Sequence, residues 1–111
     1  MLHIAPPQAA PKFIQETIVS MQDGPSKGWV DVDINTLQHK RFPNIFGLGD
    51  VAALPTGKTG AAVRKQAPVI VGNILNLIKT NKLGNETYFG YSSCPIVTGI
   101  WKNGPGGIYI R

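Results

Sequence analysis

Apolar and polar positions change their period along this chain, and the changes divide it into segments. Trp29-Val30-Asp31-Val32-Asp33-Ile34-Asn35-Thr36 alternates apolar with polar. A period of two sets one face of an extended segment against a core and the other in water. A half-buried strand and a tight turn are expected here, with residues 37–41 pairing back. Pro43-Asn44 interrupts that element, and Ile45-Phe46-Gly47-Leu48 reads as a buried strand. From about Thr56 to Lys82 the period becomes helical, with a stripe of Ala61, Ala62, Val63, Val69, Ile70, Ile74, Leu75 and Ile78. Pro68 lies inside it and removes one backbone donor, so a kink or a brief break is expected there. Gly84-Asn85 is the expected stop.

The flanks carry weaker patterns. Residues 1–5 fit a strand halted by Pro6-Pro7, which push the residues before them toward extended geometry. Residues 11–20 fit one short helix that opens on Pro11 and carries Phe13, Ile14, Thr17 and Ile18. Residues 23–28 read as a loop, residues 88–99 as strand and loop around Cys94-Pro95, and residues 100–111 have no period. No internal repeat occurs.

Composition narrows this picture. The chain has 111 residues, 42% apolar and 15% charged, which is the make-up of one modest globular domain and excludes a disordered segment. The net charge of +5 admits nucleic acid or an anionic membrane face as partners. The basic residues are scattered, however, and the densest group, His39-Lys40-Arg41, ends at once in Phe42-Pro43; no nucleic-acid partner is expected. No secretory leader pattern is visible, and the apolar run of residues 69–78 is too short to span a bilayer. A single cysteine, Cys94, excludes an internal disulfide and fits a reducing compartment or a working thiol. His3 and His39 have no carboxylate or cysteine array at metal-site spacing, so no metal site is expected.

Two stretches carry candidate chemistry. Gly49-Asp50 follows an apolar strand and precedes a helix, the place where open α/β sheets bind ligands. Glycine admits a ligand to the backbone, and a carboxylate accepts hydrogen bonds from sugar or sugar-alcohol hydroxyls. The same Asp50 also reads as an ordinary helix N-cap. Thr56-Gly57-Lys58-Thr59 looks like the end of a phosphate-binding loop, yet that spacing requires glycine where Ala52 stands. What remains is a helix start with a lysine beside it, suited to electron-rich groups. Cys94 reads either as a small core residue or as a nucleophile.

Four segments together resemble sulfide:quinone oxidoreductase, a flavoprotein of the pyridine nucleotide-disulfide oxidoreductase superfamily. They are Leu2-His3-Ile4-Ala5-Pro6-Pro7; Gly28-Trp29-Val30-Asp31-Val32-Asp33 with Thr36-Leu37-Gln38-His39-Lys40-Arg41; Pro43-Asn44-Ile45-Phe46-Gly47-Leu48-Gly49-Asp50 with Leu54-Pro55-Thr56-Gly57-Lys58-Thr59; and Gly90-Tyr91-Ser92-Ser93-Cys94-Pro95-Ile96-Val97-Thr98-Gly99. The Gly-Asp portion is shared across the superfamily, whereas the residue 54–59 and 93–99 segments are more specific. The resemblance covers residues 1–99 and corresponds to the carboxy-terminal half of the family enzyme.

That resemblance implies an α/β fold: an incomplete FAD/NAD(P)-binding, Rossmann-like fragment of a flavoprotein with two dinucleotide-binding domains. Residues 1–40 would end the second such domain, and residues 41–99 would form the returning FAD-binding segment. It implies that Gly49 and Asp50 meet the ribityl chain of FAD, and that Thr56, Gly57, Lys58 and Thr59 set a helix amino terminus by the flavin ring. Cys94 would be one of two redox cysteines that take up sulfide as a persulfide and pass two electrons to FAD and then to quinone. The intact enzyme would sit peripherally on the cytoplasmic or mitochondrial inner membrane; the piece expressed alone would be a soluble cytoplasmic fragment.

The resemblance also has gaps. The chain has no Gly-rich pyrophosphate fingerprint, no second redox cysteine and no quinone pocket, so activity by this chain alone is not expected, and an upstream fragment of the same enzyme is an expected partner. After Gly99 the family usually continues Tyr-Gly-Lys-Met-Val-Leu-Ala-Glu-Phe. Residues 100–111 do not, but one back-translation of them, read one base later, restores that continuation. The expectation is a shifted reading frame after Gly99 with Met1 as an internal start, and the coding DNA decides it. Two other classes remain open: another flavin- or NADH-linked oxidoreductase sharing Gly49-Asp50, and a non-enzymatic basic binding module.

Overall fold

A computed structural model describes residues 2, 4, 6–96, 109 and 110. Its regular elements are a short helix α1 (Lys12–Gln15), a 3-10 turn (Gly49–Val51), a long helix α2 (Gly60–Thr80), and two short strands, β1 (Pro95–Ile96) and β2 (Tyr109–Ile110). The fold is therefore mixed, with one dominant helix and little sheet. Most of the extended backbone is held by single bridges: Ser20 with Val30, Val32 with His39, and Gln38 with Phe46 are antiparallel, and Val30 with Ala52 is parallel.

The two-residue period of the 29–36 segment is expressed in burial as far as Asp33, after which Ile34 is 51% exposed. Val30 and Val32 are buried, while Trp29, Asp31 and Asp33 are half-buried between them. The chain turns at Asp33, whose carboxylate accepts hydrogen bonds from the backbone amides of Asn35 (3.0 Å) and Thr36 (2.8 Å) and from the Thr36 hydroxyl (3.1 Å). These bonds hold its pKa below the usual carboxylate range, the Thr36 amide contributing most. Leu37 closes the turn with a left-handed φ of 61° and a fully buried side chain. Such a φ costs a non-glycine residue strain, which the buried position offsets. The return arm follows as expected: the Asp33 amide donates to Gln38 O at 2.8 Å and the Lys40 amide to Asp31 O at 3.1 Å.

Two apolar clusters make the core. Val30, Val32 and Ala52 pack with Ile14, Val19, Val51 and Leu54. Leu37, Val69, Ile70 and Tyr88 pack with Phe46, Leu48, Leu54 and Ile74. Leu54 touches both and joins them. His39 locks the first cluster from its edge. Its Nε2 donates to Val19 O at 3.0 Å, and its Nδ1 accepts from the amides of Arg41 (3.0 Å) and Phe42 (3.2 Å), an arrangement that suits the neutral ring.

Several sequence expectations change. The helix expected over residues 11–20 shrinks to one turn, with Pro11 as its N-cap and Phe13 and Ile18 exposed. Leu2 and Ile4 lie in no strand, and the rest of residues 1–5 falls outside the described residues. Ile45, Phe46 and Leu48 are half-buried and form a single bridge rather than a buried strand. Helix α2 starts at Gly60, not Thr56, and runs through Pro68 without a break. Pro68 and Arg64 are both exposed, so the Arg64 carbonyl that the proline leaves without its donor faces water. The helix stops at Asn81, which takes a left-handed φ of 54° and bonds back to Leu77 O, so Gly84-Asn85 is not the terminator. Residues 109–110 are not patternless: they pair with β1 in antiparallel register, Pro95 with Ile110 and Ile96 with Tyr109.

The largest difference concerns which face of α2 is inside. Its buried residues are Ala62, Gln66, Val69, Ile70 and Asn73. Two of the five are amides, and two expected stripe members lie half or more in water, Leu75 at 50% and Ile78 at 75% exposed, while Ala61 is half-buried. The amides replace apolar contact with hydrogen bonds to loop backbone. Gln66 Oε1 accepts from the Gly49 amide at 2.8 Å, and Asn73 Nδ2 donates to Thr36 O at 3.2 Å and Glu86 O at 3.0 Å. Irregular loops leave backbone groups unpaired, and buried amide side chains are suited to pairing them.

Candidate functional site

The site is built where the 3-10 turn meets the start of α2. Gly49 enters the turn with a φ of 68°, a conformation that favours glycine, and a Cβ there would stand 3.2 Å from Val63 Cγ2. The Ala52 amide closes the turn on Gly49 O at 3.3 Å, and the Ala53 amide ties the next residue to Val30 O at 2.9 Å. Asp50 is thereby presented on the outside: it is exposed, and its carboxylate accepts no hydrogen bond among the described residues. It does not cap α2. That task falls to Thr59, whose Oγ1 accepts from the Ala62 amide at 3.2 Å.

Residues 56–59 fold against the segment that leads to Cys94. Ser92 Oγ donates to Gly57 O at 3.1 Å and lies 3.2 Å from Thr59 Oγ1. A Cβ on Gly57 would come within 3.0 Å of Ser92 Oγ, so glycine allows this close approach. Gly49, Thr56, Gly57, Lys58 and Thr59 surround one shallow depression together with Ala52, Leu54, Ala62 and Gln66. A separate groove of about 260 Å³ opens beside it, lined by Pro55, Thr56, Tyr88 and Phe89 among others.

Lys58 faces inward. Its Nζ donates to Asp50 O at 2.5 Å and to Ala52 O at 2.9 Å, and it sits 3.8 Å from the centroid of the Trp29 ring. Burial pushes its pKa below that of a free lysine, and the Asp50 charge partly restores it. Cys94 is exposed and free, which overturns its reading as a small core residue; its neighbour Ser93 is the buried one. The structure thus gathers five of the seven expected site residues around the depression and sets Asp50 beside it, with Cys94 following from Ser92 on the adjoining segment.

These residues fit one edge of a flavin. Asp50 is an open acceptor for hydroxyls, and Thr56 Oγ1 is buried without a partner. The amides of Gly60 and Ala61, at the start of a 21-residue helix, have no acceptor among the described residues. A Cβ on Gly60 would meet nothing within 4 Å, so that end is open to an electron-rich group. Among the described residues no His, Cys, Asp and Glu cluster could hold a metal ion.

No protein-family model matches the chain. Individual proteins do. It is 48% identical over 99 residues to the mitochondrial sulfide:quinone oxidoreductase of Mus musculus, across 89% of this chain and 21% of that protein. The chain resembles a segment of sulfide:quinone oxidoreductase. The mitochondrial enzymes of that name from Dictyostelium discoideum and Schizosaccharomyces pombe are 44% and 39% identical, each across 92% of this chain. The chain spans about a fifth of the length of these curated sulfide:quinone oxidoreductases, at 21%, 22% and 21%. A chain in the cryo-EM structure of the Tetrahymena thermophila mitochondrial ATP synthase F1Fo composite tetramer also matches. There the TM-score is 0.72 and the identity 36%, over 84% of this chain and 21% of that one. Among the described residues no helix is long and apolar enough to cross a membrane.

Sequence reasoning missed Gln66, Asn73, Ser92 and the role of Trp29. Gln66 and Asn73 carried a signal, since they continue the helical spacing of Ala62 and Val69 on the buried face. Ser92 and Trp29 carried none, because their partners lie 33 and 29 positions away in the chain.

Proposed function

We propose that this chain is the carboxy-terminal, flavin-facing part of an FAD-dependent sulfide:quinone oxidoreductase. The observation that carries the reading is 48% identity over 99 residues to the mouse enzyme of that name. The geometry of the 49–60 region supports it. In this reading the fold is an incomplete Rossmann-like flavoprotein: residues 1–40 close the second dinucleotide-binding domain and residues 41–99 return to the FAD domain. Residues 100–111 are a tail outside the family pattern, produced by a shifted frame.

FAD, when bound, supplies two-electron redox chemistry between sulfide and quinone. Asp50 would accept hydrogen bonds from ribityl hydroxyls, and Gly49 would let the backbone approach them. The open amides of Gly60 and Ala61 would be free to meet an electron-rich edge of the cofactor and to stabilise negative charge there. Residues 56–59 shape the wall between that edge and the Cys94 segment. Cys94, exposed, would be one of the two redox cysteines: sulfide would attack its disulfide with a second cysteine, forming a persulfide on one sulfur and releasing the other as the thiolate. With one cysteine among its 111 residues the chain forms no intramolecular disulfide, so alone it neither oxidises sulfide nor reduces quinone. The complete site requires an upstream part of the same enzyme, and the assembled protein lies peripherally on the mitochondrial inner membrane.

A chimera tests this. Residues 1–99 replace the aligned segment of the mouse enzyme. The expected product is yellow and reduces quinone when given sulfide, and Cys94→Ser abolishes turnover while leaving flavin bound. A folded chimera without flavin would sink the reading. The 111-residue chain by itself is expected to purify colourless; stoichiometric FAD on it would overturn the claim of an incomplete site. A second reading rests on the likeness to a chain in the Tetrahymena ATP synthase structure: this chain would belong to a larger mitochondrial assembly without chemistry of its own. It predicts that Cys94→Ser has no consequence.

A further inference from the structure

Lysine carries three N–H donors and no acceptor. In Lys58 two of them go to Asp50 O at 2.5 Å and Ala52 O at 2.9 Å, and the ammonium lies 3.8 Å from the Trp29 ring centroid. Two carbonyls and one aromatic face use the donors that the group has. The two carbonyls belong to the second residue of the 3-10 turn and to the residue that caps its end. Trp29 is one residue before Val30, whose amide and carbonyl hold Val51 O and the Ala53 amide, each at 2.9 Å. The lysine therefore bridges the turn and the extended arm that the turn is docked on.

We propose that Lys58 is a positioning residue, which clamps the Gly49–Val51 turn against Trp29 and so sets where the Asp50 carboxylate stands, rather than a direct ligand of the flavin. The inference rests on the reading of Asp50 as the group that meets the ribityl chain. It departs from the sequence expectation that Lys58 itself reaches the cofactor. The turn needs such a clamp. Gly49 enters it in a left-handed conformation, and the closing Ala52-to-Gly49 hydrogen bond is long at 3.3 Å. The Gln66 side chain holds only the Gly49 end, through its amide. The Leu54 amide also donates to Ala52 O at 2.9 Å, but among the described residues the Asp50 carbonyl is held by Lys58 alone. A cation over an indole face, partly shielded from water, contributes more than at an open surface.

The test needs no flavin, so its failure is distinguishable from failure of the sulfide:quinone oxidoreductase reading. It uses the full 111-residue chain with Trp101→Phe, which leaves Trp29 as the one indole. Lys58→Met should shift Trp29 emission and speed hydrogen exchange of the Ala52 amide by about tenfold or more. The Ala53 amide, held by Val30 O, should exchange as before. Lys58→Arg keeps the positive charge, on a larger planar group with enough donors for both carbonyls, and should restore both signals in part. Unchanged Ala52 exchange in Lys58→Met would overturn the clamp, as would equal disruption by Lys58→Arg. If Lys58→Met unfolds the chain, Trp29→Leu is the second variant: it removes only the ring, should raise Ala52 exchange by a smaller factor, and overturns the clamp if it raises none.

Discussion

The turn at Gly49–Val51 and the segment at Cys94 are two halves of one candidate site, but they are secured very differently. The turn is held by Gln66 from α2, by Lys58 from the loop before it, and by Val30 from the extended arm. The Cys94 segment touches the rest through Ser92 and pairs beyond Cys94 with a two-residue strand. The thiol itself is exposed and has no partner among the described residues. The position of the turn is thus set by this fold's own hydrogen bonds, while the Cys94 thiol has no partner among the described residues. A binding edge can be complete within one segment, whereas a disulfide-forming pair needs two cysteines in reach of each other.

Four variants sharpen that contrast, and the largest effect is expected far from either half. Leu37→Ala should cost about 2–5 kcal/mol, because the residue is fully buried at the centre of the cluster with Val69, Ile70 and Tyr88. Denaturant unfolding followed by helical circular dichroism measures it. A loss below about 1 kcal/mol would mean the cluster collapses around the gap. Next comes Gln66→Leu, which leaves the Gly49 amide without its acceptor and should cost about 1–3 kcal/mol. Its exchange should accelerate at Gly49 and Ala52 while the Ser92 contacts stay intact. If the Cys94 segment loosened equally, the two halves would be one unit and the comparison would fail.

Asp33→Asn should cost less, about 0.5–1.5 kcal/mol, since the turn keeps part of its hydrogen bonding. It also changes the pH response. Bonds from Thr36 and Asn35 hold the folded-state pKa of Asp33 below its unfolded value. The unfolded chain therefore binds the proton first on acidification, so this stabilisation is full above the unfolded pKa and disappears as pH falls through the folded one. Melting curves from neutral to acid pH should show a smaller acid loss in the variant. An unchanged acid limb would remove Asp33 as its source. The smallest effect belongs to Cys94→Ser, within about 0.5 kcal/mol, as expected of an exposed position. In the folded wild type the thiol should react fully with a thiol reagent. A protected thiol would reverse the contrast.

Much of this was legible along the chain because it depends on neighbours in sequence. The alternation forecast the burial of Val30 and Val32 but not the exposure of Ile34, which lies at the turn, and Pro11 did mark a helix start. The stop at Asn81 was missed because Gly84 offered a stronger local signal, and only the helix geometry shows that the left-handed residue comes three positions earlier. The apolar stripe of α2 failed for a different reason. Periodicity counts apolar residues, but here the inner face meets loops rather than a continuous sheet, so Gln66 and Asn73 are buried to pair loop backbone and Leu75 and Ile78 are left outside.

By itself the sequence determined the chemistry that depends on composition and short motifs: one thiol, one Gly-Asp carboxylate, a helix start with a lysine beside it, and the resemblance that ties them to sulfide:quinone oxidoreductase. Tertiary structure decided what each group is free to do. It turned the Lys58 ammonium inward onto two carbonyls and an indole, left Asp50 open, and kept Cys94 in water. The reason is physical. A side chain's type sets which bonds it can form, but which of them are already satisfied depends on partners brought close by folding, such as Trp29 for Lys58 and Gly49 for Gln66.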